Sequence, residues 1–137
     1  MIAAIFAEVT WLGVVLGMVA AMAWGALYYS PVLLAKAWMA EMGKTPEEIG
    51  NPTKALVNAA LMNLIAALGI NIVLAMHGVT TLGGAISTAI FLWLVFCLTT
   101  ELLHDRYNGM SVKLSVINAG NTLGAYALMG LVIQLLR

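Results

Sequence analysis

Few side chains in this sequence could do chemistry, and two of them, Glu101 and His104, stand three residues apart. On a helix, this Glu-x-x-His spacing is one half of a carboxylate-bridged di-metal site, which needs a second such motif and two more carboxylates on facing helices. The sequence contains one such motif, so we expect no metal and no other cofactor. We favour a solvated helix end at the cytoplasmic membrane interface, with Asp105 and Arg106 beside this pair.

Glu101 also lies at an unusual depth for an acid. The apolar segment that precedes it is predicted at residues 82–103, which places Glu101 about one helical turn inside the membrane edge. Ionisable residues inside membrane segments usually have a partner, and we expect Glu101 to pair with Arg106 or Lys113. The alternatives are that its side chain extends to the interface or that it relays protons.

Uncharged polar residues within the apolar segments form a second group of candidates. A buried amide or hydroxyl needs a partner inside the protein, because hydrocarbon offers none. We therefore expect six such residues to face the interior of a bundle: Asn58, Asn63, Thr99, Asn118, Asn121 and Thr122. They could join helices through hydrogen bonds worth about 0.6 kcal/mol each, or they could line a polar cavity open to the cytoplasm.

Composition decides which elements must position these side chains. Of the 137 residues, 63% are hydrophobic and 9% are charged, and the formal net charge is zero. These values exclude a disordered chain, a nucleic-acid-binding protein and a typical soluble enzyme. Four apolar runs each reach the length of about 20 residues that a helix needs to cross a bilayer. They span residues 9–29, 55–76, 82–103 and 112–136. The sequence thus predicts an all-α integral membrane protein, one domain with four transmembrane helices.

The connections carry their own signals. The segment from Leu33 to Met42 is apolar around two charges, which predicts a short helix lying in the membrane interface. Thr45 followed by Pro46 and Glu48 is typical of a capping box. Asn51 and Pro52 are expected to cap and open the second transmembrane helix. The short turn after residue 76 makes the second and third spans an antiparallel hairpin.

The distribution of positive charge predicts an orientation. The first and third connections, with their flanking residues, hold five of the six Lys and Arg residues, and Arg137 is the sixth. The positive-inside rule places those two connections in the cytoplasm and both termini outside. We expect a multi-pass protein of the cell inner membrane.

Small residues recur every four positions on the first span, at Gly13, Gly17, Ala21 and Gly25. This spacing lets two helix backbones approach closely, either inside the bundle or between two copies in a homodimer. We favour contact inside the bundle. Gly120 and Gly124 repeat the pattern on the fourth span.

Several blocks of sequence resemble a known family. The first span ends in G-A-L-Y-Y-S-P (residues 25–31), which K-A-W follows at residues 36–38. The last span contains I-N-A-G (residues 117–120) and A-L-M-G (residues 127–130). These blocks resemble the bacterial membrane family known as domain of unknown function 1761, over about residues 9–135. The resemblance implies a fold and no catalytic residues. The third connection departs from the family pattern and reads Leu103-His104-Asp105-Arg106 here.

Function is the least determined property of this sequence. We expect a non-enzymatic structural or accessory component of the membrane, with the lipid bilayer and either further copies or a larger membrane complex as partners, and without nucleic acid. The alternative is a small transporter or channel with a polar site in the cytoplasmic half of the bundle. A lipid-active enzyme, a third class, would have to use Glu101 and His104.

Overall fold

The computed structural model describes residues 6–137, and over this range the chain forms helices and turns without strands. In chain order, the helices are α1 (Trp11–Tyr28), α2 (Ala35–Met42), α3 (Pro46–Ile49), α4 (Thr53–Met76), α5 (Leu82–Tyr107) and α6 (Val112–Leu135). Helices α1, α4, α5 and α6 are long and apolar enough to cross a membrane. The predicted fold class, an all-α chain with four such helices and a short helix after the first, is confirmed.

The helix ends follow local capping chemistry. The capping box before α3 is confirmed: the Thr45 amide donates to Glu48 Oε2 at 2.8 Å, and the Glu48 amide donates to Thr45 Oγ1 at 3.4 Å. Helix α4 begins one residue later than the Asn-Pro pair suggests, with Pro52 as the N-cap. Asn51 nevertheless caps this end, because its Oδ1 accepts from the Thr53 amide at 2.9 Å.

Helix α6 lies at the centre of the packing and contacts α1, α4 and α5. Its residues Met129 and Ile133 are fully buried together with Ile70 and Leu74 of α4. The approach of α6 to α5 depends on Gly130, where an added methyl group would come within 2.8 Å of the Ala85 carbonyl oxygen. Gly130 ends the A-L-M-G block, and no packing role was predicted for it.

The small-residue stripe of α1 is used inside the bundle. A methyl group at Gly13 would lie 3.3 Å from the Ile133 Cα, and one at Gly17 would lie 3.4 Å from the Ile133 side chain. Ala21 is buried, and Gly25 is half-buried beside the Asn121 amide. The backbones of α1 and α6 therefore meet along this stripe, which leaves it unavailable as a seam between two copies.

Gly120 and Gly124 on α6 receive aromatic rings from α1. An added methyl group at Gly120 would overlap the Tyr28 hydroxyl, and one at Gly124 would overlap the Trp24 indole. The contact is therefore reciprocal. Small residues of α1 lie against Ile133 in the second half of α6, and large aromatic residues of α1 lie over the glycines in its first half. This complementarity sets the register between the two helices.

Helices α4 and α5 diverge from the turn that joins them. Helix α4 packs mainly against the first half of α5, Leu82–Leu92. The second half of α5 contains a π-helical turn, Trp93–Leu98, before it returns to α-helical geometry at Thr99–Tyr107. The divergence opens a cleft in the side of the bundle, and Tyr126 of α6 lies at its base.

Candidate functional site

The π-helical turn of α5 precedes the residues of the candidate site. A π-turn widens the helix, and such turns occur frequently at functional sites. Trp93, its first residue, is buried against α6 with 8% of its surface exposed. Glu101 lies two turns further on and is half-buried. Both side chains thereby reach the same residue of α6, Thr122.

The Thr122 hydroxyl is hydrogen-bonded to both Trp93 and Glu101. The Trp93 indole N–H donates to Thr122 Oγ1 at 2.9 Å. The same hydroxyl lies 3.1 Å from Glu101 Oε2 and 3.1 Å from the Ala119 carbonyl oxygen. A hydroxyl carries one proton, so it donates to the acid or to the carbonyl while it accepts from the indole. This arrangement holds the Glu101 carboxyl group against α6.

The predicted pairing of Glu101 with Arg106 or Lys113 is wrong. The Arg106 guanidinium donates to the Ser115 hydroxyl at 2.5 Å. Lys113 Nζ lies 3.0 Å from Glu41 Oε1 of the short helix α2, in the one ion pair found within residues 6–137. Both cations lie at the end of the bundle, where Ser115 and Glu41 are nearer to them than Glu101 is, because Glu101 lies about one helical turn further into the bundle. Glu101 is left with a neutral partner.

Glu101 opens onto the side cleft. The part of the cleft beside it has a volume of about 420 Å³ and is lined by Phe96, Cys97, Thr100, His104 and Tyr126 as well as by Glu101 and Thr122. His104 thus shares this wall with the acid, as the Glu-x-x-His spacing allows. Within the described part of the chain, no three His, Cys, Asp or Glu side chains are grouped so that they could hold a metal ion.

The predicted interior amides lie mostly at the interface of α1 with α6. Asn118 Oδ1 accepts from the Tyr29 hydroxyl at 3.0 Å, and burial raises the pKa of Tyr29, which keeps this donor protonated. The Asn121 backbone carbonyl accepts from the Trp24 indole at 3.0 Å. Asn63 of α4 donates to the Met22 sulfur at 3.5 Å. These three asparagines and Thr122 are half-buried.

Asn58 and Thr99 do not face the interior, and the prediction was wrong for both. Asn58 is exposed in the second turn of α4, close enough to the helix end for polar surroundings to solvate it. Thr99 is exposed too, and its hydroxyl donates to the Val95 carbonyl of its own helix at 2.6 Å. A threonine that bonds one turn back needs no partner on a second helix.

The sequence analysis missed the aromatic residues that organise this region. Successive ring centroids are separated by 5.4 Å from Trp24 to Tyr28, 5.3 Å from Tyr28 to Tyr29 and 5.6 Å from Tyr29 to Trp38. This row of rings joins α1 to α2, and it includes both tyrosines of G-A-L-Y-Y-S-P and the tryptophan of K-A-W. The four-residue spacing of Trp24 and Tyr28, which places them on one helix face, was the available signal.

Asn71 of α4 is fully buried and donates from its side chain to the Thr10 carbonyl at 3.1 Å. This bond ties α4 to the residue that precedes α1. An asparagine among apolar residues of a span is itself a signal of an interior position, and here its partner is a backbone group that no pairing of side chains could indicate.

Comparison with curated proteins and comparison with solved structures each find no match. The family model described as "Protein of unknown function (DUF1761)" matches residues 12–134. The match includes all four long helices almost completely, together with the row of aromatic rings and the cleft around Glu101. The chain therefore belongs to the DUF1761 family of proteins of unknown function.

Proposed function

We propose that this protein is a non-enzymatic structural or accessory component of a bacterial inner membrane. The observation that carries the proposal is how the polar groups between α1 and α6 are used. Tyr29 donates to Asn118, and Trp24 donates to the Asn121 backbone. Polar groups satisfied by aromatic donors in this way join helices rather than line a continuous aqueous path.

The outer surface supports a role in association. On α4, five large apolar residues are more than half exposed: Leu56, Val57, Leu61, Ile65 and Met76. Lipid or a neighbouring protein must cover them. We propose that the protein works as a homo-oligomer or within a larger membrane complex. Native mass spectrometry from native-like nanodiscs tests this, and a bare monomer without any associated protein would contradict it.

The experiment that tests the closed interior uses cysteine accessibility. In a Cys97→Ser background, Asn121→Cys should resist a water-soluble thiosulfonate in membranes, because Trp24 and Tyr28 pack over this stretch of α6. Lys113→Cys is the control that should react, since Lys113 is exposed at the end of the bundle. Rapid modification of Asn121→Cys from the side on which Lys113→Cys reacts would overturn the proposal.

A small transporter or channel is the second candidate, and one observation favours it. Asn121 Oδ1 is buried and has no hydrogen-bond partner within residues 6–137. A buried polar atom without a protein partner is often served by water, and water at this position would open the cytoplasmic half of the bundle. The same cysteine experiment separates the candidates, because a water-filled site exposes Asn121→Cys.

A further inference from the structure

The side cleft runs along most of α5. Three cavities follow one another: one of about 530 Å³ near His77, one of about 210 Å³ beside Gly69, and the one of about 420 Å³ beside Glu101. The first two share Val73 and Leu92, and the last two share Phe96 and Tyr126. They therefore form one groove, which extends about 20 Å along the helix axis from Thr88 to Glu101.

The groove changes character at the end where Glu101 lies. Its middle part is apolar, with Phe96, Leu92 and Val73 along the wall, and polar side chains return only at the far end, at His77, Ser87 and Thr88. At Glu101, one carboxylate oxygen is bonded to Thr122, and within the described residues no cation lies in ion-pair distance of the group. The groove thus combines an apolar trough with an acidic group that lacks a counter-charge.

We propose that this groove binds an amphiphile that carries a protonated amine directly on an apolar chain. The amine would form an ion pair with the Glu101 carboxylate, and the chain would lie between α4 and α5. Thr122 holds the carboxyl group in position through the bond to its Oε2. A charge-assisted hydrogen bond at a partly desolvated site is among the stronger polar contacts available to a ligand.

The groove favours this class over a phospholipid. In a zwitterionic phospholipid, a phosphate separates the amine from the acyl chains. An amine at Glu101 would therefore place that phosphate in the apolar part of the groove, beside Phe96 and Leu92. No Lys or Arg lines any of the three cavities. A neutral amphiphile would leave the acid without a counter-charge.

This inference goes beyond the proposed function, since an accessory subunit need not bind any small molecule. The test measures saturable binding of radiolabelled dodecylamine to the full chain in phosphatidylcholine nanodiscs, with empty nanodiscs subtracted. We expect about one amine per chain, with dodecanol a poor competitor. Glu101→Gln should weaken binding by about tenfold to one-hundredfold, the equivalent of one charge-assisted hydrogen bond. Glu8→Gln, an exposed acid outside the spans, is the matched control and should bind normally.

A second pair of variants tests the apolar part of the groove. Gly69 lines the groove, and an added methyl group there meets no atom within 4 Å, so the side chain of Gly69→Leu has an open position from which to enter the groove. It should abolish amine binding. Gly83→Leu adds the same side chain at another open helical position, outside the three cavities, and should not. Undiminished binding by Gly69→Leu, or equal competition by dodecanol and dodecylamine, would overturn the inference whatever Glu101→Gln does.

Discussion

At the scale of single residues, the contact between α1 and α6 depends on two glycines of α6. Gly120 and Gly124 leave the space that Tyr28 and Trp24 occupy. The Trp24 indole is also fixed at its nitrogen, because its N–H donates to the Asn121 carbonyl. A ring held in this way cannot swing aside at low cost, so the glycine is required by its neighbour and not by its own backbone angles.

Gly124→Ala should therefore destabilise the bundle. The added methyl group would overlap the indole, and inserting a methyl group into a packed interface costs about 1–3 kcal/mol. Thermal unfolding in a mild detergent measures the effect. Gly69→Ala, a mid-helix position with no neighbour within 4 Å, should leave the melting temperature unchanged or raise it. Equal melting temperatures for Gly124→Ala and wild type would contradict the packing argument.

Thr122→Val tests the hydroxyl that joins Trp93 to Glu101. Valine preserves the shape and leaves the indole N–H without an acceptor, which should lower the free energy of unfolding by about 1–2 kcal/mol. The Trp93 environment should change as well, which tryptophan emission reports. Thr99→Val is the control, because that exposed hydroxyl bonds to its own helix. If both variants lost stability to the same extent, the link through Thr122 would have no special role.

At the scale of elements, one acid, Glu41, holds the short helix α2 against the start of α6. Glu41 Oε1 lies 3.0 Å from Lys113 Nζ, and Glu41 Oε2 accepts from the Ser111 hydroxyl at 2.5 Å. The Ser111 hydrogen bond, followed by Lys113, lowers the pKa of Glu41. Ser111 also caps α6 by accepting from the Leu114 amide. Docking of α2 and the beginning of α6 are therefore coupled through one side chain.

The docking of α2 should depend on pH. Because the pKa of Glu41 is lower in the folded protein, its contribution is fully present above the ordinary glutamate pKa of about 4.3 and is lost as pH falls through the lowered value. The protection factors of α2 amides, which compare each exchange rate with the intrinsic rate at the same pH, should therefore fall in acid. Glu41→Gln should have low protection factors already at neutral pH and should lose this pH dependence. Glu48→Gln, which perturbs only the capping box of α3, should retain it.

At the scale of the whole molecule, the first and third connections lie at the same end of the bundle, since the pair of Glu41 and Lys113 joins them. The turn at His77 lies at the opposite end of α4 from Thr53, and α6 carries the chain from Lys113 to Arg137. Five of the six cationic side chains thereby belong to one end, which under the positive-inside rule supports our proposal that this end is cytoplasmic.

Orientation can be measured with single cysteines, because Cys97 is the sole cysteine of the chain. In a Cys97→Ser background, Arg137→Cys should react with a membrane-impermeant maleimide on spheroplasts. Lys44→Cys should react only after the membrane is permeabilised, since we propose that the connection that contains it is cytoplasmic. The reverse labelling pattern would show that the charge distribution does not set the orientation of this protein.

The sequence by itself determined the four long helices, the short helix after the first and the capping box at Thr45. These properties depend on neighbours along the chain: apolar length sets a span, and a cap joins residues three positions apart. The observed helices begin and end within four residues of the predicted segments for the same reason.

Only the tertiary structure decided which partner each polar group has. Glu101 bonds to Thr122 instead of a cation, Thr99 bonds to its own helix, and Asn71 bonds to a backbone carbonyl. The cleft likewise follows from the angle between α4 and α5 and the π-helical turn at Trp93. Such contacts depend on how each helix is rotated about its axis and on the angle at which two helices cross. The sequence specifies neither quantity, because apolar residues are spread almost evenly around each helix.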